Sequence, residues 1–200
     1  MSRSFDEIEI EGKRLLHVRE FRKIQAYFQL NEDDFIIQHN HYFDTSDFQL
    51  KEQNAALRIR YKNGAHVLTL KVRNEAGVLE KHQPLGPREW SEGAPLTQLS
   101  EGGSVQTYLE KEWKIPFHTL HPLGRLTTRR AELPYEQGLL VLDESHYFEE
   151  IDYELEYEGN SQEHVQGVLT QVAVRVGLDP HSPEPQPKIQ RFFSVAKGRI

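Results

Sequence analysis

The sequence lacks cysteine in all of its 200 residues. This absence excludes disulfide bonds, thiolate metal sites and cysteine nucleophiles, and it favours a reducing cytoplasm as the location. No apolar run approaches the roughly 18 residues that a membrane-spanning helix needs. The N-terminal stretch MSRSFDEIEIEGK carries charges where a signal peptide has its apolar segment. We therefore expect a cytoplasmic protein without a membrane partner.

Basic charge is also in short supply. The chain has 24 Lys and Arg against 31 Asp and Glu, which leaves a formal net charge of −7. An acidic balance of this kind disfavours a general nucleic-acid-binding protein. Apolar residues make up 37% of the chain and charged residues 28%, which is polar for a globular domain but too apolar for a disordered chain. A hydrophobic core of moderate size is expected.

Period-two alternation dominates what the sequence does contain, and it predicts strands. We expect strands near residues 5–13, 35–44, 55–62, 67–73, 78–84, 124–133, 139–147 and 152–158. Helical patterns are expected at 20–30, 105–114, 161–176 and 188–197. Eight strands with few helices predict an α+β, mainly antiparallel fold, an eight-stranded closed barrel with helices packed outside. Residues 1–200 then form a single domain, in which the C-terminal segment 188–200 closes or docks on the barrel.

Charges on the strands are sorted by sign. One face carries Glu9 and Glu11 on the first strand, and another carries Arg58 and Arg60 on the third. Such alternation most often marks the solvent side of a half-buried sheet. A solubilising face usually mixes signs, however, and like charges two residues apart repel each other. A compensating ligand is therefore indicated.

Two kinds of charged face together suggest the chemistry of that ligand. Carboxylates bind hard divalent cations through oxygen, whereas guanidinium and ammonium groups bind phosphate oxygens. If the helices cover the apolar faces from outside, the charged faces point into the barrel. The residues thus favour a polyanion that carries divalent metal.

The first charged strand contains Glu9-Ile-Glu11-Gly-Lys13. It resembles the Glu-x-Glu-x-Lys signature of the CYTH superfamily, the triphosphate tunnel metalloenzymes, and above all the small, stand-alone Bacillus-type members. Further elements of the family follow in order, from residue 7 to about 191. They are His41-Tyr-Phe-Asp44-Thr, Ala56-Leu-Arg58-Ile-Arg60, Leu68-Thr-Leu-Lys71, Arg129-Arg130-Ala-Glu, Leu142-Asp143 and Tyr153-Glu154-Leu-Glu156.

The resemblance implies a role for particular residues in an eight-stranded tunnel. The residues it implies as ligands of Mg²⁺ or Mn²⁺ are Glu9, Glu11, Asp143, Glu154 and Glu156. The residues it implies for catalysis and triphosphate binding are Lys13, Arg58, Arg60, Lys71 and Arg130, with Lys188 joining them in binding. Arg129 is the alternative to Arg130, because alternation puts only one of the two inside. Glu80 is a lesser candidate for the tunnel wall.

The activity that this resemblance implies is metal-dependent hydrolysis of a triphosphate. Inorganic tripolyphosphate, giving pyrophosphate and phosphate, is the favoured substrate. Adenylyl cyclase chemistry of the CyaB type and hydrolysis of thiamine triphosphate are the enzymatic alternatives, and a triphosphate or polyphosphate sensor is the non-enzymatic one. The partner is a small molecule, and the sequence leaves a homodimer open.

Overall fold

The computed structural model describes residues 5–74, 77–99 and 102–196. Within these ranges the strands are β1 (Phe5–Leu16), β2 (Phe35–Asp44), β3 (Ala55–Lys62), β4 (Ala65–Asn74), β5 (Gly77–Leu85), β6 (His121–Tyr135), β7 (Gly138–Tyr147) and β8 (Glu150–Gly159). The α-helices are α1 (Val18–Tyr27), α2 (Gln49–Glu52), α3 (Ser104–Glu112), α4 (Gln162–Arg175) and α5 (Lys188–Ala196). Across those residues no helix combines the length and the apolar character that a membrane crossing requires.

The eight strands hydrogen-bond in the order β1-β5-β4-β3-β2-β6-β7-β8, and this order closes into a barrel. The pairing is antiparallel. The predicted fold class, a closed eight-stranded antiparallel barrel with helices, is therefore confirmed. The helix α2 was not predicted, because its four residues are too few to show a helical period.

The chain divides into two compact units. The first unit comprises Met1–Ile8 and Gln38–Leu126, and the second comprises Glu9–Ile37 and Thr127–Ile200. Each has its own hydrophobic core.

Strands β3 and β4 supply the core of the first unit. Leu57 and Ile59 on β3 and Leu68 and Leu70 on β4 are completely buried, and they belong to one cluster with side chains of α3 and of the segment before it. Because side chains alternate along a strand, the polar residues between them occupy the opposite face.

In the second unit, α1 and α4 cover the apolar face of β7 and β8, in a core that includes Leu142 and Leu155. Strand β1 passes close to α4 at Gly12, where a Cβ atom would lie 2.6 Å from Cγ1 of Val165 and 2.8 Å from Cδ1 of Leu169. Only glycine fits this approach without displacing its neighbours. The charged residues of β7 and β8 therefore lie on the face away from the helices.

Candidate metal centre and its basic partners

Three buried carboxylates meet on β7 and β8. Asp143 lies directly opposite Glu154 in the strand register, and Glu156 follows two residues later on the same face. Asp143 and Glu154 are 0% exposed and Glu156 is 6% exposed. One oxygen from each carboxylate lies within 4.8 Å of the other two. We refer to these three residues as the acidic cluster.

The acidic cluster suits a hard divalent cation. All three side chains offer the oxygen ligands that Mg²⁺ and Mn²⁺ prefer. Glu154 Oε1 is buried and has no hydrogen-bond partner within the ranges that the structure describes. A buried acceptor without a donor is costly, and a bound cation would satisfy it. The residues present thus fit the metal that the sequence predicts.

Arg130 is one basic partner of the acidic cluster. Its Nε donates to Asp143 Oδ1 and its Nη2 to Asp143 Oδ2, each at 2.7 Å, while Nη2 also donates to Glu156 Oε2 at 2.9 Å. This is the two-pronged geometry that makes an arginine–carboxylate pair strong. Arg129 instead donates to Glu32 at 2.7 Å. The structure therefore places Arg130, and not Arg129, against the acidic cluster.

Lys188, the first residue of α5, is the second basic partner. Its ammonium group donates to Asp143 Oδ2 and lies 2.9 Å from Glu154 Oε2. The sequence assigns Lys188 to the triphosphate, whereas its contacts here are with the acidic cluster. A buried carboxylate requires a nearby positive charge, and Lys188 provides one.

Strand β1 brings further charges to the same unit. Lys13 lies opposite Glu156 in the strand register and donates to Glu11 Oε1 at 2.9 Å, with its Nζ 3.9 Å from Glu156 Oε1. Glu9 and Glu11 are not members of the acidic cluster. Three of the five predicted metal ligands thus converge within 4.8 Å, and Lys13 connects Glu11 on β1 to Glu156 of this cluster.

In the acidic cluster and its basic partners, neighbouring opposite charges together affect the pKa values more than burial does. Burial by itself raises the pKa of Asp143, but Arg130 and Lys188 outweigh it and hold that pKa below its usual value. Burial likewise opposes the charge of Lys188, yet Asp143, Glu154 and Glu156 raise its pKa well above the ordinary range. Both bases remain cationic and Asp143 remains anionic at neutral pH.

The pKa of Glu158, farther along β8, shifts in the direction opposite to that of Asp143. Burial, followed by the negative charge of Glu9, raises the pKa of Glu158 to about 7. It lies opposite Glu11 in the strand register. Two carboxylates facing each other across a strand pair disfavour joint ionisation.

The remaining predicted basic residues lie in the first unit, on the polar face of β3 and β4. Arg58 is 9% exposed, and Arg60 Nε donates to Asn40 Oδ1 at 3.2 Å. Lys71 lies opposite Glu80 in the strand register and forms an ion pair with it. Alternation along the strands therefore placed these side chains on one face, as predicted.

Two histidines on β2 have a packing role. His39 and His41 share a strand face that could suggest a metal-binding pair, but the His41 ring lies 4.9 Å from that of Trp90 and the His39 ring is stacked on that of Tyr61. Burial lowers the pKa of His41 below its usual value. They lie on the face opposite that of Arg60.

Asp44 has a structural role that sequence reasoning missed. Its carboxylate is fully buried and accepts backbone hydrogen bonds from Thr45 at 2.7 Å, from Leu50 at 2.9 Å and from Lys51 at 3.1 Å. These bonds hold the turn that leads from β2 into α2. An aspartate just before a polar turn is a recognisable signal for this local bonding.

Sequence reasoning also missed a group of residues behind the acidic cluster. Arg191 on α5 donates from Nε to Asp152 Oδ2 at 2.7 Å, and the Tyr147 hydroxyl donates to the same oxygen at 2.6 Å. Two signals were available in the sequence. Arg191 follows Lys188 by three residues on a helix, and Asp152 has the same strand parity as Glu154.

Known proteins share both the sequence and the fold. Residues 7–185 match the CYTH domain. The chain is 42% identical over 195 residues to the Bacillus subtilis (strain 168) protein named "Putative triphosphatase YjbK", covering 97% of this chain and 98% of that protein. A Bacillus halodurans structure described as a "putative adenylate cyclase" is 40% identical, with a TM-score of 0.85 and coverage of 94% and 98% of the two chains.

A more distant structure has the same architecture. This structure is of a Hippeastrum protein, described as a putative adenylyl cyclase, HpAC1, with a dominant triphosphatase activity. It is 26% identical to this chain, with a TM-score of 0.77 and coverage of 94% of this chain and 96% of that one. The match to the CYTH domain covers most of the chain, including most of β1 and the acidic cluster. By sequence and by barrel topology alike, the chain is a member of the CYTH family.

Proposed function

We propose that the protein is a divalent-metal-dependent triphosphatase that cleaves inorganic tripolyphosphate to pyrophosphate and phosphate. The observation that carries the proposal is the acidic cluster, whose three buried carboxylates have oxygens within 4.8 Å of one another. The triphosphatase name of the Bacillus subtilis relative and the triphosphatase activity in the description of the Hippeastrum structure support the same reaction class.

In this proposal Asp143, Glu154 and Glu156 hold Mg²⁺ or Mn²⁺, and Glu9 and Glu11 on β1 complete the ligand set. When bound, such a metal neutralises phosphate charge and acidifies a water molecule. Mn²⁺ is the ion proposed for the tests below, because both ions suit an all-oxygen site and Mn²⁺ can be observed directly by magnetic resonance.

The bases of the second unit bind phosphate oxygens in this proposal. Arg130 offers a planar pair of donors that matches two phosphate oxygens, and Lys13 and Lys188 offer ammonium groups. The opposite charges around Lys188 raise its pKa, so it keeps its proton at neutral pH and is suited to stabilise negative charge. Arg58, Arg60 and Lys71 have the same proposed role, which the family resemblance implies.

The proposal extends to the setting of the reaction. Residues 1–200 act as one CYTH domain, the substrate is a small molecule in the cytoplasm, and neither a nucleic acid nor a membrane takes part. A homodimer is compatible with this activity.

The decisive experiment measures phosphate release from tripolyphosphate, thiamine triphosphate and ATP, each with Mg²⁺, with Mn²⁺ and with a chelator. We expect the fastest release from tripolyphosphate, and none with the chelator. Chromatography of the ATP reaction tests for cyclic AMP, which would indicate cyclase chemistry instead.

Two matched variants of β8 test the site. Glu154→Gln removes a charge from the acidic cluster and is expected to lower activity at least about 100-fold, a loss of about 2.7 kcal/mol of transition-state stabilisation. Glu150→Gln changes an exposed residue of the same strand and should retain activity. Equal activity of both variants would contradict the metal site, and binding without turnover of all three triphosphates would favour a sensor.

A further inference from the structure

Arg191 lies at the junction of α5 and β8. It follows Lys188 by three residues in α5, and residues at this spacing project from the same side of a helix. Its Nε donates to Asp152 Oδ2 at 2.7 Å, and its Nη2 lies 2.9 Å from Glu154 Oε2. Its side chain is only 13% exposed. One guanidinium group therefore spans two carboxylates of β8.

Tyr147 is the second donor to Asp152. The Tyr147 hydroxyl donates to the Asp152 oxygen that Arg191 also contacts, at 2.6 Å. Burial and this bond to Asp152 raise the pKa of Tyr147 well above its usual value, so the hydroxyl keeps the proton that it donates. Asp152 is thereby fixed by two donors and provides a rigid support for Arg191.

The two oxygens of Glu154 have different surroundings. Oε2 lies 2.9 Å from both Lys188 Nζ and Arg191 Nη2. Oε1 is buried without a hydrogen-bond partner in the described ranges. Among the described residues, neither oxygen has a hydrogen bond of good geometry, but the two cations attract Oε2 electrostatically, which leaves Oε1 as the oxygen available to a metal.

Arg191 is not needed merely to dock the helix. Phe192 and Phe193 on α5 are 0% and 2% exposed, and the Phe192 ring lies 5.1 Å from that of Phe148. Apolar burial of this kind anchors a helix by itself. The polar contacts of Arg191 are thus made by a helix that its apolar residues already anchor.

We propose that Arg191 is a positioning residue, which, supported by Asp152 and Tyr147, orients the Glu154 carboxylate and Lys188 for metal and phosphate. The proposal rests on the proposed function in taking Glu154 as a metal ligand. Supporting groups of this kind typically affect metal affinity about 10- to 100-fold.

The test is the dissociation constant of Mn²⁺, measured by the electron paramagnetic resonance signal of the free ion, with no substrate present. Arg191→Lys keeps the charge but loses the planar pair of donors, and it should weaken Mn²⁺ binding about tenfold. Asp152→Asn weakens the support of Arg191 and should act in the same direction. Tyr147→Phe, which removes one hydroxyl, should weaken Mn²⁺ binding about fivefold. This milder variant provides the test if either of the other two fails to fold.

Ser194→Ala is the matched control, because Ser194 lies exposed on the same helix and its hydroxyl donates only within α5. It should leave Mn²⁺ binding unchanged. Unchanged or tighter binding in Arg191→Lys, Asp152→Asn and Tyr147→Phe would overturn the positioning role, even in an active enzyme. Wild-type protein that binds Mn²⁺ but hydrolyses no triphosphate would contradict the proposed function and leave the positioning role standing.

Discussion

Individual charges in the second unit are buried in mutually dependent groups. Arg130 contacts Asp143 through two hydrogen bonds, and Lys188 reaches Asp143 as well as Glu154. Removing one member of such a group leaves an uncompensated buried charge, which costs about 3 to 5 kcal/mol. Variants that neutralise a carboxylate while preserving its shape share this cost but avoid the cavity that a truncation would add.

Glu158→Gln tests the charge crowding on β1 and β8. Folding raises the pKa of Glu158 to about 7, whereas an unfolded Glu has a pKa of about 4.3. The folded protein thus binds this proton more tightly, and Glu158 lowers the free energy of unfolding as the pH rises through that window. The free energy of unfolding in urea, measured without added metal, gives the stability difference between Glu158→Gln and the wild-type protein. This difference should favour the variant more at about pH 8 than at about pH 5.

The exposed Glu150 provides the comparison for this experiment. Glu150→Gln should track the wild-type protein at both pH values. If the difference between Glu158→Gln and wild type were the same at both, Glu158 would have an ordinary pKa and no crowding.

Asp44→Ala tests the turn between β2 and α2. The variant loses the acceptor of three backbone hydrogen bonds and should lower the free energy of unfolding by about 3 kcal/mol, because buried donors are left unsatisfied. Asp47→Asn changes an exposed residue of the same turn, which contacts Gln49 at 3.0 Å, and should leave the free energy of unfolding close to that of the wild-type protein. Comparable losses in the two variants would refute the assigned role of Asp44.

The alternation of side chains along a strand explains which parts of the site were predictable. The faces that carry Arg58, Arg130 and Glu154 follow directly from alternation, because a strand permits only two side-chain directions. The partners of Lys188 were not predictable, since they depend on where α5 docks. Tyr147 and Asp152 meet within the β7–β8 hairpin, whereas Arg191 reaches Asp152 only through that same docking of α5.

At the scale of elements, strand β1 depends on its approach to α4. Gly12→Ala would place a methyl group against Val165 and Leu169 and should destabilise the protein by about 1 to 3 kcal/mol through overpacking. Gly167→Ala, on α4 itself, meets nothing within 4 Å and should stabilise it by up to about 1 kcal/mol, because alanine is the better helix former. Thermal unfolding of both variants tests these expectations. Unchanged stability of Gly12→Ala would show that α4 shifts easily to accommodate the methyl group.

The strands and longer helices were predicted within a few residues of their ends, whereas α2 was not. Period-two alternation is strong on β3 and β8, where one face is apolar and the other charged. The helix α2 has a single buried apolar residue, Leu50, and its first turn is held by the Asp44 carboxylate. Elements set by tertiary contacts leave little trace in a local pattern.

For the whole molecule, metal binding and folding should be linked. A ligand that binds only the folded state stabilises it, by about 2.7 kcal/mol at 100 times its dissociation constant. Differential scanning fluorimetry should therefore show a higher melting temperature with Mn²⁺, reversed by a chelator. Glu154→Gln should abolish most of this increase, whereas Glu150→Gln should retain it; an equal increase in both would indicate binding elsewhere.

The chain segments that form each unit also affect the order in which the units can fold during translation. The first unit is drawn mainly from the continuous stretch Gln38–Leu126, whereas the second joins Glu9–Ile37 to Thr127–Ile200. A nascent chain emerges from its N-terminus and folds as its contacts become available. Glu9, Glu11 and Lys13 are thus translated early but must wait for β8 and α5, so that the carboxylates proposed to hold metal come together only after those two elements have been translated.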